Sequence, residues 1–166
     1  MTDPKEITNK TQSDAAGWIG AALVAIKNKE FDSVKEQIEA IEKETKDDPN
    51  LLVAKALYLQ ATGQLSCAKE TLLNQLNITP KQVNTRILLA DLYYQNKEYE
   101  QAIYQYKEAT KEKHRHAHPY FNCALAYCQL QNFDQANNEL LKVIDIDPKH
   151  VSALNQLGEI SLTQKE

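Results

Sequence analysis

Small residues recur in this chain every 34 positions, and that spacing constrains the fold more than any other feature. Val34, Ala68, Ala102 and Ala136 form one series. A large apolar side chain stands three places before each (Phe31, Leu65, Tyr99, Phe133) and another four places after (Ile38, Leu72, Tyr106, Leu140). Twelve residues before each member lies a second small residue: Ala22, Ala56, Ala90, Ala124, with Gly158 next in line after them. Large, small and large at offsets of three and four mark one face of a helix. The small residues let two helices approach closely, and the large ones fill the space beside the crossing. A period of this length signals an array of hairpins, each burying its apolar face only against its neighbours.

The punctuation agrees with paired helices. Only four Gly and five Pro occur in 166 residues, and abundant Leu, Ala, Glu, Lys and Gln favour helix. Asn28-Lys29-Glu30 reads as the first turn, followed by a helix from Phe31 to Lys46 with Ile41 in its stripe. Asp48 is an N-cap with Pro49 at the first helical position. Leu51 to Ala61 is then a helix stopped at Thr62-Gly63-Gln64, with glycine where a left-handed residue is wanted. Leu65 to Leu76 returns and Thr79-Pro80 ends the block. Residues 81–95 and 98–112 form a third pair split near Asn96, and 118–130 and 133–145 a fourth split near Asn132. Val151 to Gln164 begins a fifth unit, and its polar end (Glu159, Thr163, Gln164, Lys165, Glu166) suits a solvating cap.

The block from His118 to Pro148 carries Tyr120, Cys123, Ala124, Tyr127, Ala136, Leu140 and Pro148. It resembles the tetratricopeptide repeat family, whose pattern is W-x2-L-G-x2-Y, then A-x3-F, then P, within one repeat. The block before it has Leu89, Ala90, Tyr93, Ala102 and Tyr106, but Arg86 in the Trp slot and His114 in the Pro slot. The second has Leu52, Ala56, Leu59, Ala68, Leu72 and Pro80, with Lys55 in the Leu slot. The first has Trp18, Ala22, Val34 and Ile38, with Lys46 in the Pro slot and its proline three residues late at Pro49. The resemblance implies an all-α fold: a right-handed superhelix of four helix-turn-helix repeats, at about 15–48, 49–82, 83–116 and 117–150, plus a C-terminal capping helix at 151–165. Residues 1–14, polar and without a helical stripe, are expected to be a flexible tail.

Ala15 to Ile26 is a run of twelve apolar residues, with Asp14 placed as its N-cap. No small-residue cleavage site follows it, so it does not read as a secretion signal. It is either a helix whose Ala and Gly are cheap to expose, or a face that the tail, a second copy of the chain or a partner covers. The second case makes Trp18, Ile19, Leu23 and Ile26 an interface and predicts a homodimer through the first helix. No run of 18 apolar residues exists, so no membrane span is expected.

The resemblance also implies a function. In the family the first helix of each pair lines an inner face, where ligand-facing positions lie beside the packing positions. Carried onto this chain they are Ile19, Leu23 and Ile26; Asn50, Val53, Leu57 and Gln60; Asn84, Ile87, Asp91 and Tyr94; His118, Phe121, Leu125 and Cys128; and Asn155 and Glu159. An apolar groove with a polar rim suits a peptide segment or amphipathic helix of a partner protein. The plainer expectation is that Ile19, Val53 and Ile87 turn inward and join the core. Members that hold acidic chaperone tails pair carboxylates with a Lys, Asn and Arg clamp. Here the first slots hold Ile19 and Leu23, Val53 and Leu57, or Ile87 and Asp91, and the later basic slots Asn84 and Leu88, His118 and Asn122, or Ser152 and Gln156, so no cation pair is expected. A scaffold or adaptor is the first expectation. The alternatives are a small cytoplasmic chaperone for a secreted or unfolded client, similar to type III translocator chaperones in size and architecture, and an assembly subunit of a larger complex.

Other chemistries find little support. A net charge of −4 argues against a general nucleic-acid binder. Cys67, Cys123 and Cys128, an odd count without a framework spacing, point to the reducing cytoplasm. His114-Arg115-His116-Ala117-His118 alternates histidines, but no paired zinc spacing supports it and it reads as a solvated loop. No phosphate loop, nucleophile elbow or placed base for a cysteine appears, so neither an enzyme nor a cofactor is expected.

Overall fold

The computed structural model describes residues 20, 22–44, 48–111 and 116–164. Among them all regular structure is helical. A first helix, α1, is described over 22–27, and eight follow: α2 (Phe31–Glu44), α3 (Pro49–Ala61), α4 (Leu65–Ile78), α5 (Val83–Gln95), α6 (Tyr99–Ala109), α7 (Ala117–Gln129), α8 (Phe133–Ile146) and α9 (Val151–Thr163). The expected tail at 1–14, and Trp18 and Ile19, lie outside the described residues.

The helix ends are set by local hydrogen bonding. Asp48 Oδ1 accepts from the Asn50 amide at 2.7 Å, capping α3. At the other end Gly63 takes φ +81°, its N–H donating to Gln60 and that of Gln64 to Leu59. This pair of bonds is a Schellman ending. The same two bonds recur after α1 at Lys29 and Glu30, after α5 at Lys97 and Glu98, and after α7 at Gln131 and Asn132. The left-handed residues are therefore Lys29, Gly63, Lys97 and Gln131, with φ of 64°, 81°, 61° and 57°, one in each repeat. Three of the four are not glycine, and each stands beside the asparagine that the sequence singles out. Closure of the hairpin fixes the conformation whatever the side chain prefers.

The chain folds as two compact units, Met1–Pro80 and Lys81–Glu166. In the first, Ala22, Val34, Ile38 and Leu51 are buried together, with Ala25, Ile26, Ile41 and Tyr58 packed against them. In the second, Ala90, Ala102, Ala124 and Ala136 are fully buried where helices cross, flanked by Tyr106, Cys123, Tyr127, Leu140 and Val143. Glu139 is buried in that unit too, and Lys142 Nζ reaches both its oxygens at 2.9 Å. Breaking such a pair by removing one partner leaves a buried charge uncompensated.

α9 departs from the simple cap. Ala153 and Ile160 are buried, and His150 Nδ1 accepts from the Ala153 amide at 3.2 Å as the helix N-cap. Val151, Leu154 and Leu162 are exposed, and so is Gly158, the last member of the small-residue series. The polar residues expected at its end thus share the surface with apolar ones.

Candidate functional site

The second unit carries ten of the expected ligand-facing residues, on α5, α7 and α9. α5 and α7 lie side by side there, and along each of them packing and open positions alternate in the 3.6-residue rhythm of a helix. Leu89, Ala90 and Leu92 on α5, and Cys123, Ala124, Ala126 and Tyr127 on α7, are buried. Ile87, Asp91, Tyr94, Phe121, Leu125 and Cys128 stay half-buried, while Asn84 and His118 are exposed. Ile87, Tyr94, Phe121 and Cys128 still touch the core from the edge. On α9, Asn155 and Glu159 are exposed.

The aromatic residues are held by ring contacts. Tyr94 meets Tyr99 edge-on, centroids 5.5 Å apart, and the Tyr99 hydroxyl reaches Gln129 at 3.4 Å. Phe121 packs against His150, ring centroids 5.0 Å apart and planes tilted by 39°. Burial, then the nearby Tyr99 and Cys128, raises the Tyr94 phenol above its ordinary value. The Cys128 thiol is raised by burial and then by Glu159. Both groups therefore stay neutral over the ordinary pH range. The side chains nearest the face's centre offer apolar area and hydrogen bonds, with no reactive anion among them.

A polar row crosses beneath the aromatics. Asp91 Oδ1 accepts the Tyr106 hydroxyl and the Asn122 amide, the latter at 3.1 Å. Asn122 Nδ2 also lies 3.1 Å from His118 Nε2, which must accept in that contact because the amide nitrogen only donates. Burial, then the Asp91 charge and hydrogen bond, pushes the Tyr106 phenol far above its usual range. Asp91 thus spends one oxygen on the fold, which the sequence does not reveal. Two other neighbours of the face, His150 and Tyr99, are also missed. His150 stands one full period after His116, in the slot that begins the first helix of a pair, and that slot is the signal that would have located it.

In the first unit Asn50, Val53, Leu57 and Gln60 are all half-buried on α3. On α1, Leu23 and Val24 are exposed, at 44% and 60%, while Ile26 packs against the core. Before α7, residues 112–115 lie outside the described residues, and His116 is exposed. Among the described residues no three His, Cys, Asp or Glu side chains gather to hold a metal ion. Nor is any helix there long and apolar enough to cross a membrane.

Comparison with known proteins agrees with this architecture. Residues 90–131 match the family described as TPR repeat, and residues 117–150 the one described as tetratricopeptide repeat. Over 104 residues, 59% of the chain, it is 34% identical to the formate-dependent nitrite reductase complex bifunctional subunit NrfFG of Haemophilus influenzae. Over 90 residues, 51% of the chain, it is 34% identical to small glutamine-rich tetratricopeptide repeat-containing protein 2 of Saccharomyces cerevisiae. The matched stretches cover 27% and 26% of those proteins, so the chain spans about a quarter of each. Among solved structures it is similar to YrrB, described as a TPR protein with an unusual peptide-binding site. The TM-score is 0.70 at 22% identity, covering 87% of this chain and 74% of that one. Two matched repeats, in a stretch whose hairpins keep one common register, show that residues 90–150 of this chain belong to the tetratricopeptide repeat family.

Proposed function

We propose that this chain, built on a fold that is a protein-interaction scaffold, binds a peptide segment of a partner protein, extended or helical, along the α5–α7 face of its second unit. The observation that carries the reading is the half-buried state of Tyr94, Phe121, Leu125 and Cys128 beside fully buried packing residues. Rings already held in place lose little freedom on binding, and aromatic anchors of this kind dominate interface energies. The polar rim of Asn84, His118, Asn155 and Glu159 would fix register. Asn84, Ile87, Asp91, His118, Phe121 and Asn122 include no lysine or arginine, so the ligand is not an acidic tail held by a cation clamp. The corresponding residues of the first unit, Asn50, Val53 and Leu57, are proposed as ligand-facing residues of that unit. Residues 15–166 are read as one repeat array, and the three unpaired thiols support a cytoplasmic setting.

A partner captured from native lysate and then purified provides the test. Phe121→Ala and Tyr94→Ala should each weaken its binding by more than about 1 kcal/mol, with helix content unchanged. Normal binding by both variants would end the assignment. A chaperone would instead keep an aggregation-prone client soluble in near-stoichiometric complex.

Exposed Leu23 and Val24 favour a second role, self-association or assembly through the first helix. Leu23→Asp should then monomerise the chain. A monomeric wild type excludes self-association.

A further inference from the structure

One helix junction in the first unit is left open where its counterpart in the second unit is filled. Two repeat periods carry Lys55 onto Cys123, Lys35 onto Ile103, Tyr58 onto Ala126 and Leu59 onto Tyr127. Cys123, Ile103, Ala126 and Tyr127 are all buried where α6 meets α7. Between α2 and α3 the same slots hold an exposed lysine, a half-buried lysine and two half-buried apolar side chains. Lys55 stands where packing asks for an apolar residue. Its Nζ meets Glu42 Oε1 at 2.5 Å, with the two side chains 35% and 34% exposed. A cavity of about 340 Å³ opens there, walled by Tyr58 and Leu59, with Lys35 and Glu39, 3.9 Å apart, also lining it.

Size and charge narrow the occupant. The cavity is at the small end of ligand pockets, which run from roughly 300 Å³ upward. It has no room for a helix or strand but takes a molecule of amino-acid size. Lys55 keeps two N–H donors beyond the one aimed at Glu42, and Glu42 keeps its second oxygen. A ligand with a single charge would be attracted by one member of that pair and repelled by the other. A ligand carrying an ammonium and a carboxylate on neighbouring atoms matches both, and its apolar part can rest on Tyr58 and Leu59.

We propose that the cleft between α2 and α3 is a binding site for a single zwitterionic ligand of the apolar α-amino acid class, held by Lys55 and Glu42. The site is separate from the α5–α7 face and does not depend on the function assigned to it. The test is an NMR titration of the full chain with leucine, N-acetyl-leucine and leucinamide, following the Tyr58 ring and the Lys55 methylenes. Leucine should give saturable shifts in the millimolar range, and each blocked analogue should bind about tenfold more weakly. Lys55→Leu restores the apolar slot, and Glu42, a third exposed, can reach water. That variant should therefore stay folded and lose the leucine response. Three results would each overturn the proposal: no saturable shift with leucine up to about 10 mM, an equal response to either blocked analogue, or a folded Lys55→Leu chain that still responds to leucine like wild type.

Discussion

Asn122 on α7 donates from Nδ2 to Asp91 Oδ1 on α5 at 3.1 Å. The same oxygen accepts the hydroxyl of Tyr106 from α6. Three helices of the second unit are thus tied to one carboxylate at the edge of the proposed binding face. A charged acceptor makes these bonds stronger than neutral ones. Asp91 is held in place by the fold, so the charge it brings to that edge has a fixed position.

Removing the hydroxyl tests that tie. Tyr106→Phe keeps the ring in the core but leaves Asp91 one donor short, and should cost about 2 kcal/mol in denaturant unfolding. Wild type should also lose stability in alkali through this residue. The folded phenol is raised above its ordinary value, so its contribution is full below about pH 10. Above that the unfolded phenol ionises while the buried one does not, and stability drains away as pH rises. The Phe variant should show a flatter decline.

The four left-handed turn residues predict opposite outcomes for matched changes. Gly63 has open space where a Cβ would sit, so Gly63→Ala meets only the backbone cost of its φ of +81°, about 1 kcal/mol. Lys97 sits at φ 61° with a side chain already present. Lys97→Gly relieves that cost and should raise the unfolding free energy slightly, by about 0.5 kcal/mol, glycine's extra chain entropy taking back the rest.

His150 caps α9 as an acceptor, through Nδ1. His150→Ala should lose that cap, costing about 1 kcal/mol and quickening amide exchange along α9, whereas His150→Asp, which still accepts and favours the dipole, should not.

The three thiols should react in order of access. Cys67 is exposed, Cys128 half-buried and Cys123 buried. Burial, and then Glu139, pushes the Cys123 thiol up to about 12, so it should alkylate only on unfolding. Mass spectrometry should find Cys67 labelled first. A bound peptide should slow Cys128 and leave Cys67 untouched, giving a footprint of the face.

Much of the fold was legible because it rests on spacing. The alanines at 90, 102, 124 and 136 are all buried, as a close helix crossing demands. The helix read at 118–130 runs from Ala117 to Gln129, and Asp48 and Pro49 start α3 as the local chemistry requires. The turns were harder. Asparagine tolerates the left-handed region well, yet Lys29, Lys97 and Gln131 occupy it, because two backbone bonds at each hairpin outweigh a side-chain preference. The spacing separated packing positions on α5 and α7 from the half-buried ones beside them, but not what each of the latter touches. Nothing in the neighbourhood of Asp91 announces partners 15 and 31 residues away, and His150 lies outside the helix whose Phe121 it packs against. Lys55 was visible as an intruder in an apolar position, while the opening beside it belongs to three dimensions alone.

Because every hairpin closes through the same pair of backbone bonds at the same phase, the chain is modular at the level of its joints. A block one repeat long, cut at any of these turns, begins and ends in identical geometry. Such a block can be duplicated, removed or exchanged between hairpins without asking any turn to change shape, so this molecule can be resized one hairpin at a time.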